Sequence, residues 1–326
     1  MCHIENKGEV VFDFPFIFLE RRMMKDIKDV RILVVGDIML DKYVVGDVSR
    51  ISPEAPVPIV TVKDEYSTLG GCGNVVRNIA ALGPKVHCAA SVAKDNAGDE
   101  ITNLLNECGA VDVLSYHNKV TTVKERVIAD QRKVQMLRVD RENITEVNPD
   151  DLIQEIDIHM IGDGNYDMIV VSDYGKGLIT WELMEYLRTL NIDIIIDPKP
   201  QNAPLYGNPL MITPNKKEWL QMELDDHCNP EFILVTEGRD GMTLYDYRQG
   251  RTQAKIEGEP VDVYNVSGAG DTVVAIMAIC LSLNIYPDKA AQVSNSCAAY
   301  VVTQPGTSIV PKNIFKRSMN RFIARM

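Results

Sequence analysis

The sequence predicts an α/β fold, a doubly wound and mostly parallel sheet with helices on both faces and a small β lid. Three observations carry that prediction. Short continuous runs rich in β-branched residues, such as "RILVVGD" at 31–37, read as strands buried on both faces, as strands of a parallel sheet are. These runs alternate with segments of helical spacing, which is the rhythm of βα units. Polar residues, among them Asp37, Asp41, Asp173, Asp197, Asn215 and Thr236, collect at the carboxyl ends of the strands, where open α/β sheets hold ligands.

Residues 1–29 read as an N-terminal extension ahead of one domain over 30–326. Its apolar stretch "VVFDFPFIFL" contains Asp13, follows Glu5 and Glu9, and lacks a small-residue cleavage site, so it reads as disordered or loosely docked rather than as a signal. Met23 or Met24 is an alternative start. Beyond strand 31–37, "ISPEAPVPIVTV" (51–62) is broken by prolines, which cannot donate within a central strand, so this stretch leaves the main layer. "NVVRNIAAL" (74–82) has helical spacing and stops at Gly83-Pro84, ahead of a strand at "VHCAASV".

A second excursion, 121–140, alternates polar and apolar residues around a turn at 130–133. The two excursions, about 42–68 and 118–140, are expected to pair as the lid. The main rhythm resumes with a helix over 150–161, strand "DMIVVSD", a helix over 180–189, strands "IDIIIDP" and "PLMITP", a helix over 215–222 and strand "FILVTEG". "MTLYD", "TQAKIEG" and "VDVYNV" read as antiparallel edge strands, followed by helices over 269–283 and 287–301.

Composition excludes several classes of function. With 326 residues, 45% hydrophobic and 25% charged, the chain buries a full core. A net charge of -12 opposes nucleic acid and anionic membranes as general partners, so an anion site has to be a local arrangement. The seven cysteines are scattered without a C-x-x-C pair, which reads as reduced thiols in a cytoplasmic protein. No apolar run reaches the ~20 residues of a membrane span.

The chemistry concentrates in "NVSGAGDT" (265–272), which runs straight into the apolar "VVAIMAICL". Two glycines around Ala269 bring backbone N–H groups together at a helix N-terminus, which favours an anion, and Asp271 follows in the first turn. A carboxylate beside an anion pocket suits proton removal from an attacking hydroxyl during phosphoryl transfer. The plain alternative is a capped helix. Capping is also the reading preferred for Asp37 and Asp197.

Together with "GGCGNVVRNIAALG" (70–83), this motif resembles the two signatures of the ribokinase-like (PfkB) carbohydrate kinases, in their usual order, and the likeness extends over roughly 30–312. "VVGDIMLDKYVVGDVSRISPEAPVPIV", "VSDYGKG", "IDPK", "ITPNKKE" and Val273 are similar to the D-glycero-β-D-manno-heptose 7-phosphate kinases within that family. The resemblance implies ATP-dependent phosphorylation of the anomeric hydroxyl of that heptose phosphate, with Mg²⁺ as cofactor, in lipopolysaccharide precursor synthesis.

By the same resemblance Asp271 is the general base, and the N–H groups of Gly268, Ala269 and Gly270 hold the transferred phosphoryl. Asp41, just beyond the first strand, Gly70, Gly71 and Asn74 surround the sugar, with Asp173, Lys176 and Arg138 also on the substrate side. Asn215 and Glu218 form the N-x-x-E pattern, in which Glu218 meets Mg²⁺ through water; the local alternative is a capping box. Thr236, Gly238 and Gly241 match a nucleotide segment, and Lys199 is a further cation for an anionic ligand. Arg50, Lys124, Arg126 and Arg138 lie on the lid excursions, where solvated charge is the alternative for each. Cys72 reads as a small buried hydrophobe.

Three positions depart from the family pattern. Asn265 stands where Asp is usual, which puts dependence on K⁺ in doubt; Ser267 replaces Thr, and Val76 replaces a small residue. No H-x-G-H motif of a nucleotidyltransferase occurs, so a stand-alone kinase is expected, and the resemblance implies a homodimer. The rival readings are a kinase for another sugar and a catalytically silent sugar-binding regulator on the same scaffold.

Overall fold

In the computed structural model, which describes residues 25–116, 120–131, 133–144, 147–224, 227–248 and 252–323, the chain alternates strands and helices as follows. The first part runs β1 (Arg31–Gly36), β2 (Ile38–Ile51), β3 (Pro58–Gly71), α1 (Cys72–Leu82), β4 (Lys85–Ser91), α2 (Asn96–Glu107), β5 (Val111–Ser115), β6 (Val123–Ala129) and β7 (Val134–Arg141). The middle part comprises α3 (Asp150–Asp163), β8 (Met168–Ser172), α4 (Trp181–Thr189), β9 (Ile194–Asp197), β10 (Met211–Ile212) and α5 (Lys216–Trp219). The last part holds β11 (Phe232–Thr236), β12 (Met242–Asp246), β13 (Thr252–Ile256), α6 (Ala269–Ser282), α7 (Pro287–Val301) and α8 (Lys312–Phe322).

Nine strands form one sheet in the order β13-β12-β11-β10-β9-β8-β1-β4-β5. All neighbours pair in parallel except β11 with β12 and β12 with β13. Alternate residues of β1 feed two cores. Ile32 and Val34 pack with α1, α6 and α7, whereas Leu33 and Val35 pack with α3 and α4. Both faces are covered, which is why the strands read as unbroken apolar runs.

The two excursions meet in a second sheet, ordered β3-β2-β6-β7. Its long hairpin tolerates prolines because Pro53 and Pro56 fall in the tip between β2 and β3, and Pro58 is the first residue of β3. Side chains alternate between the faces of this sheet. Register places Asp41 beside Lys124, Tyr43 beside Arg126, and Arg126 and Lys124 opposite Arg138 and Asp140, so all six share one face.

Several sequence expectations are corrected. "VDVYNV" is not an edge strand: the N–H groups of Tyr264 and Asn265 both go to the carbonyl of Val302, at 2.7 and 3.0 Å, so this stretch is held by the end of α7 rather than by the sheet. The helix expected over 215–222 is the single turn of α5 followed by hydrogen-bonded turns, because its carbonyls are soon taken up by 3₁₀-type bonds such as Gln221 N–H to Glu218. The sequence reading assigned no element to 96–107, 111–115 or 312–322, where α2, β5 and α8 lie. The proposed extension mostly falls on 1–24, outside the described residues, as does Arg132 of the lid turn.

Candidate active site

The base candidate is carried in by helix packing. In α6 every residue from Asp271 to Cys280 is buried, since the helix is enclosed by the sheet, α1 and α7. Burying one Val, Ile or Met side chain fully contributes roughly 1.5–3 kcal/mol, so the apolar run after Thr272 fixes the helix and draws Asp271 with it. Gly268 caps this helix at φ 80, in the left-handed region, and a Cβ there would lie 2.7 Å from Asn74 Nδ2. Only glycine meets both conditions without strain. The first intrahelical bond runs from Thr272 N–H to Gly268, while the Ala269 N–H turns back to Val266 at 3.3 Å. Of the three N–H groups expected to hold an anion, that of Ala269 is therefore already engaged.

Asp271 is held at both oxygens. Asn74 Nδ2 donates to Oδ2 at 2.7 Å, and the Tyr174 hydroxyl donates to Oδ1 at 2.7 Å. Burial raises its pKa; the Asn74 and Tyr174 hydrogen bonds and the charge of Lys199 oppose that rise, and Asp41 adds to it. Tyr174 lies in the loop after β8, with Lys124 of the lid 5.8 Å and Lys199 5.5 Å from its ring centre. Asp271, Lys124 of the small sheet and Lys199 therefore converge on one tyrosine.

Asp41, just beyond β1 as expected, lies on β2, where Arg126 Nη1 donates to Oδ1 at 2.8 Å. Gly70 lies directly beneath its carboxylate. Gly71 has φ 59, and its α-carbon approaches the Asp37 carbonyl so closely that a Cβ would stand 2.2 Å from the oxygen, which brings the lid hairpin straight into α1 and Asn74. Lys124 is pushed below its ordinary pKa by burial and by the like charges of Lys176 and Arg126, against the opposing pull of Asp41 and Asp140. It makes no ion pair among the described residues. Lys176 pairs with Glu142 at 2.6 Å, and Arg138, half exposed, pairs with Asp140 on its own strand.

Three aspartates, Asp173, Asp37 and Asp197, depart from their expected places. Asp173, expected at the substrate, is turned inward: Oδ1 accepts the Gly175 N–H at 2.7 Å, and Oδ2 accepts Asn202 at 2.8 Å and the Tyr206 hydroxyl at 2.7 Å. Such a fully engaged carboxylate builds the loop. Asp37, expected as a helix cap, instead accepts the backbone N–H groups of Tyr174 and Lys176 at 2.9 and 3.0 Å, and burial, aided by the charge of Asp173, pushes it up to about 6.

Asp197 is not a helix cap either, since the cap position of the 3₁₀ turn that follows, Pro200–Leu205, is Lys199, without a side-chain cap. Its pKa is raised well above the ordinary value by burial and then by the charges of Asp271 and Glu218. On the same side, Glu218 forms the capping box of α5: Asn215 Oδ1 accepts the Lys217 and Glu218 N–H groups, and Glu218 Oε2 accepts the Asn215 N–H at 3.0 Å. Glu218 Oε1 takes Lys199 Nζ at 2.6 Å, which outweighs the burial of Lys199 and raises its pKa. Thr236 lies beside Asn215 through a parallel bridge, and Gly238 and Gly241 form the turn that follows β11. The nucleotide-side candidates thus stand together at the strand ends.

Tyr174, Lys124 and Arg126 matter more here than their sequence context suggested. Lys124 and Arg126 carried a readable signal, their spacing of two on a strand paired with that of Asp41. Tyr174 carried none, because its partner is 97 residues away.

Comparison with known proteins bears on the family and the fold. A family model described as pfkB family carbohydrate kinase matches residues 30–313. The bifunctional protein HldE of Desulfatibacillum aliphaticivorans is 38% identical over 311 residues, covering 89% of this chain and 63% of that protein. Its counterpart in Rhodospirillum rubrum is 39% identical over 309 residues, covering 86% of this chain and 60% of its own length. The chain thus spans somewhat under two thirds of these relatives. Among solved structures, phosphofructokinase-2 from Escherichia coli in complex with potassium superposes with a TM-score of 0.73 at 18% identity, covering 90% of this chain and 99% of that one. Arabidopsis thaliana ribokinase complexed with ribose and ATP gives a TM-score of 0.66 at 15% identity, covering 89% and 99%. At those identities the likeness concerns the fold alone. With a family match over residues 30–313, nearly the whole described domain, the chain belongs to the pfkB family of carbohydrate kinases.

Proposed function

We propose that this kinase transfers the γ-phosphoryl group of ATP to the anomeric hydroxyl of D-glycero-β-D-manno-heptose 7-phosphate, in ADP-heptose synthesis in the cytoplasm. Asp271 takes the hydroxyl proton, the acceptor oxygen forms its bond to phosphorus, and the bond to the bridging oxygen breaks with its electron pair leaving on ADP. The N–H groups of Gly268 and Gly270 at the start of α6 receive the equatorial charge. Asp41, Asn74, Gly70 and Gly71 border the sugar.

The observation that carries the choice of a phosphorylated acceptor is Lys124. Its half-buried ammonium lies on the lid face that bears Asp41, close to the charges of Lys176 and Arg126 and over the tyrosine that touches the base. A cationic cluster of this kind suits a second anion on the acceptor. The relatives named HldE support the heptose.

Asn215, Lys199, Thr236, Gly238 and Gly241 border the nucleotide. Asp197, buried and facing the charges of Asp271 and Glu218, is the other carboxylate on this side that a bound divalent cation would face. Both Glu218 oxygens are engaged with protein donors, so Glu218 would hold Mg²⁺ through water. When bound, the ion neutralises phosphate charge.

Asn265 links two loops itself: Nδ2 donates to the Gly306 carbonyl at 3.2 Å, and Oδ1 accepts the Ser267 N–H at 2.9 Å. Without a carboxylate charge at this position a monovalent-cation site is weakened, so turnover in K⁺ and in tetramethylammonium is expected to agree within about twofold. Strong activation by K⁺ would reject that expectation.

ADP release measured with Mg-ATP and the heptose 7-phosphate, fructose 6-phosphate or ribose tests the substrate. A preference for the heptose by at least about a hundredfold in kcat/KM is expected, since the two alternatives lack either the phosphate or its reach. Preference for another sugar would retain the family and overturn the substrate.

A further inference from the structure

We propose that Tyr174 is a positioning residue for phosphoryl transfer: its hydroxyl, donating to Asp271 Oδ1, holds the carboxylate in the orientation and ionised state in which it accepts the proton of the sugar hydroxyl. The inference rests on the reading of Asp271 as the base.

Geometry comes first. Asp271 receives one donor at each oxygen, Asn74 Nδ2 at Oδ2 and the Tyr174 hydroxyl at Oδ1, both at 2.7 Å. Two donors on opposite sides fix the plane of the carboxylate. Each oxygen can accept a second hydrogen bond, so a site for the acceptor hydroxyl is still left.

The electrostatic setting gives the hydroxyl a purpose. Asp271 faces Asn74 and Cys72 from α1, Tyr174 from the loop after β8, Asp197 and Lys199 from the end of β9, and Asp41 from β2. Burial and the charges of Asp41 and Asp197 disfavour a carboxylate; Lys199 and the two donors favour it. A base that became protonated near neutral pH would be spent before reaction. Removing one donor shifts that balance directly.

Tyr174 is suited to the task because it stays a donor. Burial, followed by the charge of Asp271, raises its own pKa well above that of a free phenol. Its backbone N–H is anchored to Asp37, and its ring is flanked by Lys124 and Lys199. The ring is therefore held independently of the hydroxyl, and a phenylalanine fills the same slot. The competing view is that a buried tyrosine hydroxyl needs some acceptor and Asp271 is merely the nearest.

Tyr174→Phe and Asp271→Asn, measured beside the unaltered protein, separate these views. The readouts are the melting temperature, calorimetric Mg-ATP affinity, and kcat and KM from pH 5 to 9. The acceptor is whichever of heptose 7-phosphate, fructose 6-phosphate and ribose is turned over best. Asp271→Asn should be silent at every pH. Tyr174→Phe should melt and bind Mg-ATP as the unaltered protein does. Its kcat should fall by on the order of tenfold or more, with the acid limb of kcat moving up by about one to two pH units, as loss of a hydrogen bond to a charged group requires. KM for the sugar should change by less than about threefold, because the lost contact is to the base.

An unmoved acid limb with undiminished kcat would overturn the inference while Asp271 keeps its role. A rise in KM alone would overturn it too, by placing the hydroxyl on the sugar. Turnover by Asp271→Asn would instead remove the base assignment on which the inference stands.

Discussion

At the scale of single residues, the site gathers carboxylates that would rather be neutral. Asp37 is the clearest, being pushed up to about 6 by burial and then by Asp173, although backbone N–H groups oppose the shift. The folded protein therefore binds more protons than the unfolded chain between roughly pH 4 and 6, and the contribution of Asp37 to stability is lost as pH rises through that window. Asp37→Asn retains an oxygen for the Tyr174 and Lys176 N–H groups and removes the titration. The loss of unfolding free energy between pH 4 and 7 should then shrink by on the order of 1–3 kcal/mol. Urea titrations at the two pH values check this; identical pH dependence in both proteins would contradict it.

At the scale of elements, the N-terminus of α6 is a junction rather than an end. Gly268→Ala introduces a Cβ at φ 80 and 2.7 Å from Asn74 Nδ2. The strain should cost about 1–3 kcal/mol, and displacement of Asn74 should lower kcat at least about tenfold, read from a urea midpoint and steady-state rates. Unchanged kcat would mean that Asn74 is dispensable to Asp271. Elements of this kind were the legible part of the sequence: "SGAGDT" followed by nine apolar residues announced both the turn and the burial of the helix. What the sequence hid was assembled over distance. The bond from Asn74 to Asp271 spans 197 residues and that from Tyr174 spans 97, so no local pattern encodes either. Asp173 and Asp37 were misjudged because a carboxylate at a strand end looks the same whether it turns toward solvent or toward a neighbouring loop. "VDVYNV" alternates like a strand, but its hydrogen bonds were already claimed by the end of α7.

At the scale of the whole molecule, the sheet and its helices form a closed body while the lid keeps apolar side chains in solvent. Val62, Val134 and Leu137 are 48%, 48% and 56% exposed, all on the face of the small sheet turned away from Asp41. An exposed apolar face on a four-stranded sheet invites a partner, and the homodimer expected from the family resemblance would bring a second copy there. Light scattering after size exclusion should give twice 36.4 kDa, and Leu137→Glu should return the mass to 36.4 kDa. A monomeric mass for the unaltered protein would reject the lid as a pairing surface.

The lid hairpin departs from the core at Ile38 and returns at Gly71, and these two residues are partners in its first rung. Asp37, just before the departure, accepts the N–H of Cys72, just after the return, at 3.0 Å. Topologically the hairpin is a closed detour, and the chain on either side is already joined without it. Its loop-closure cost is met locally, at the neck, rather than by the sheet. Lengthening or shortening the far tip thus leaves the threading of the body that holds Asp271 unchanged.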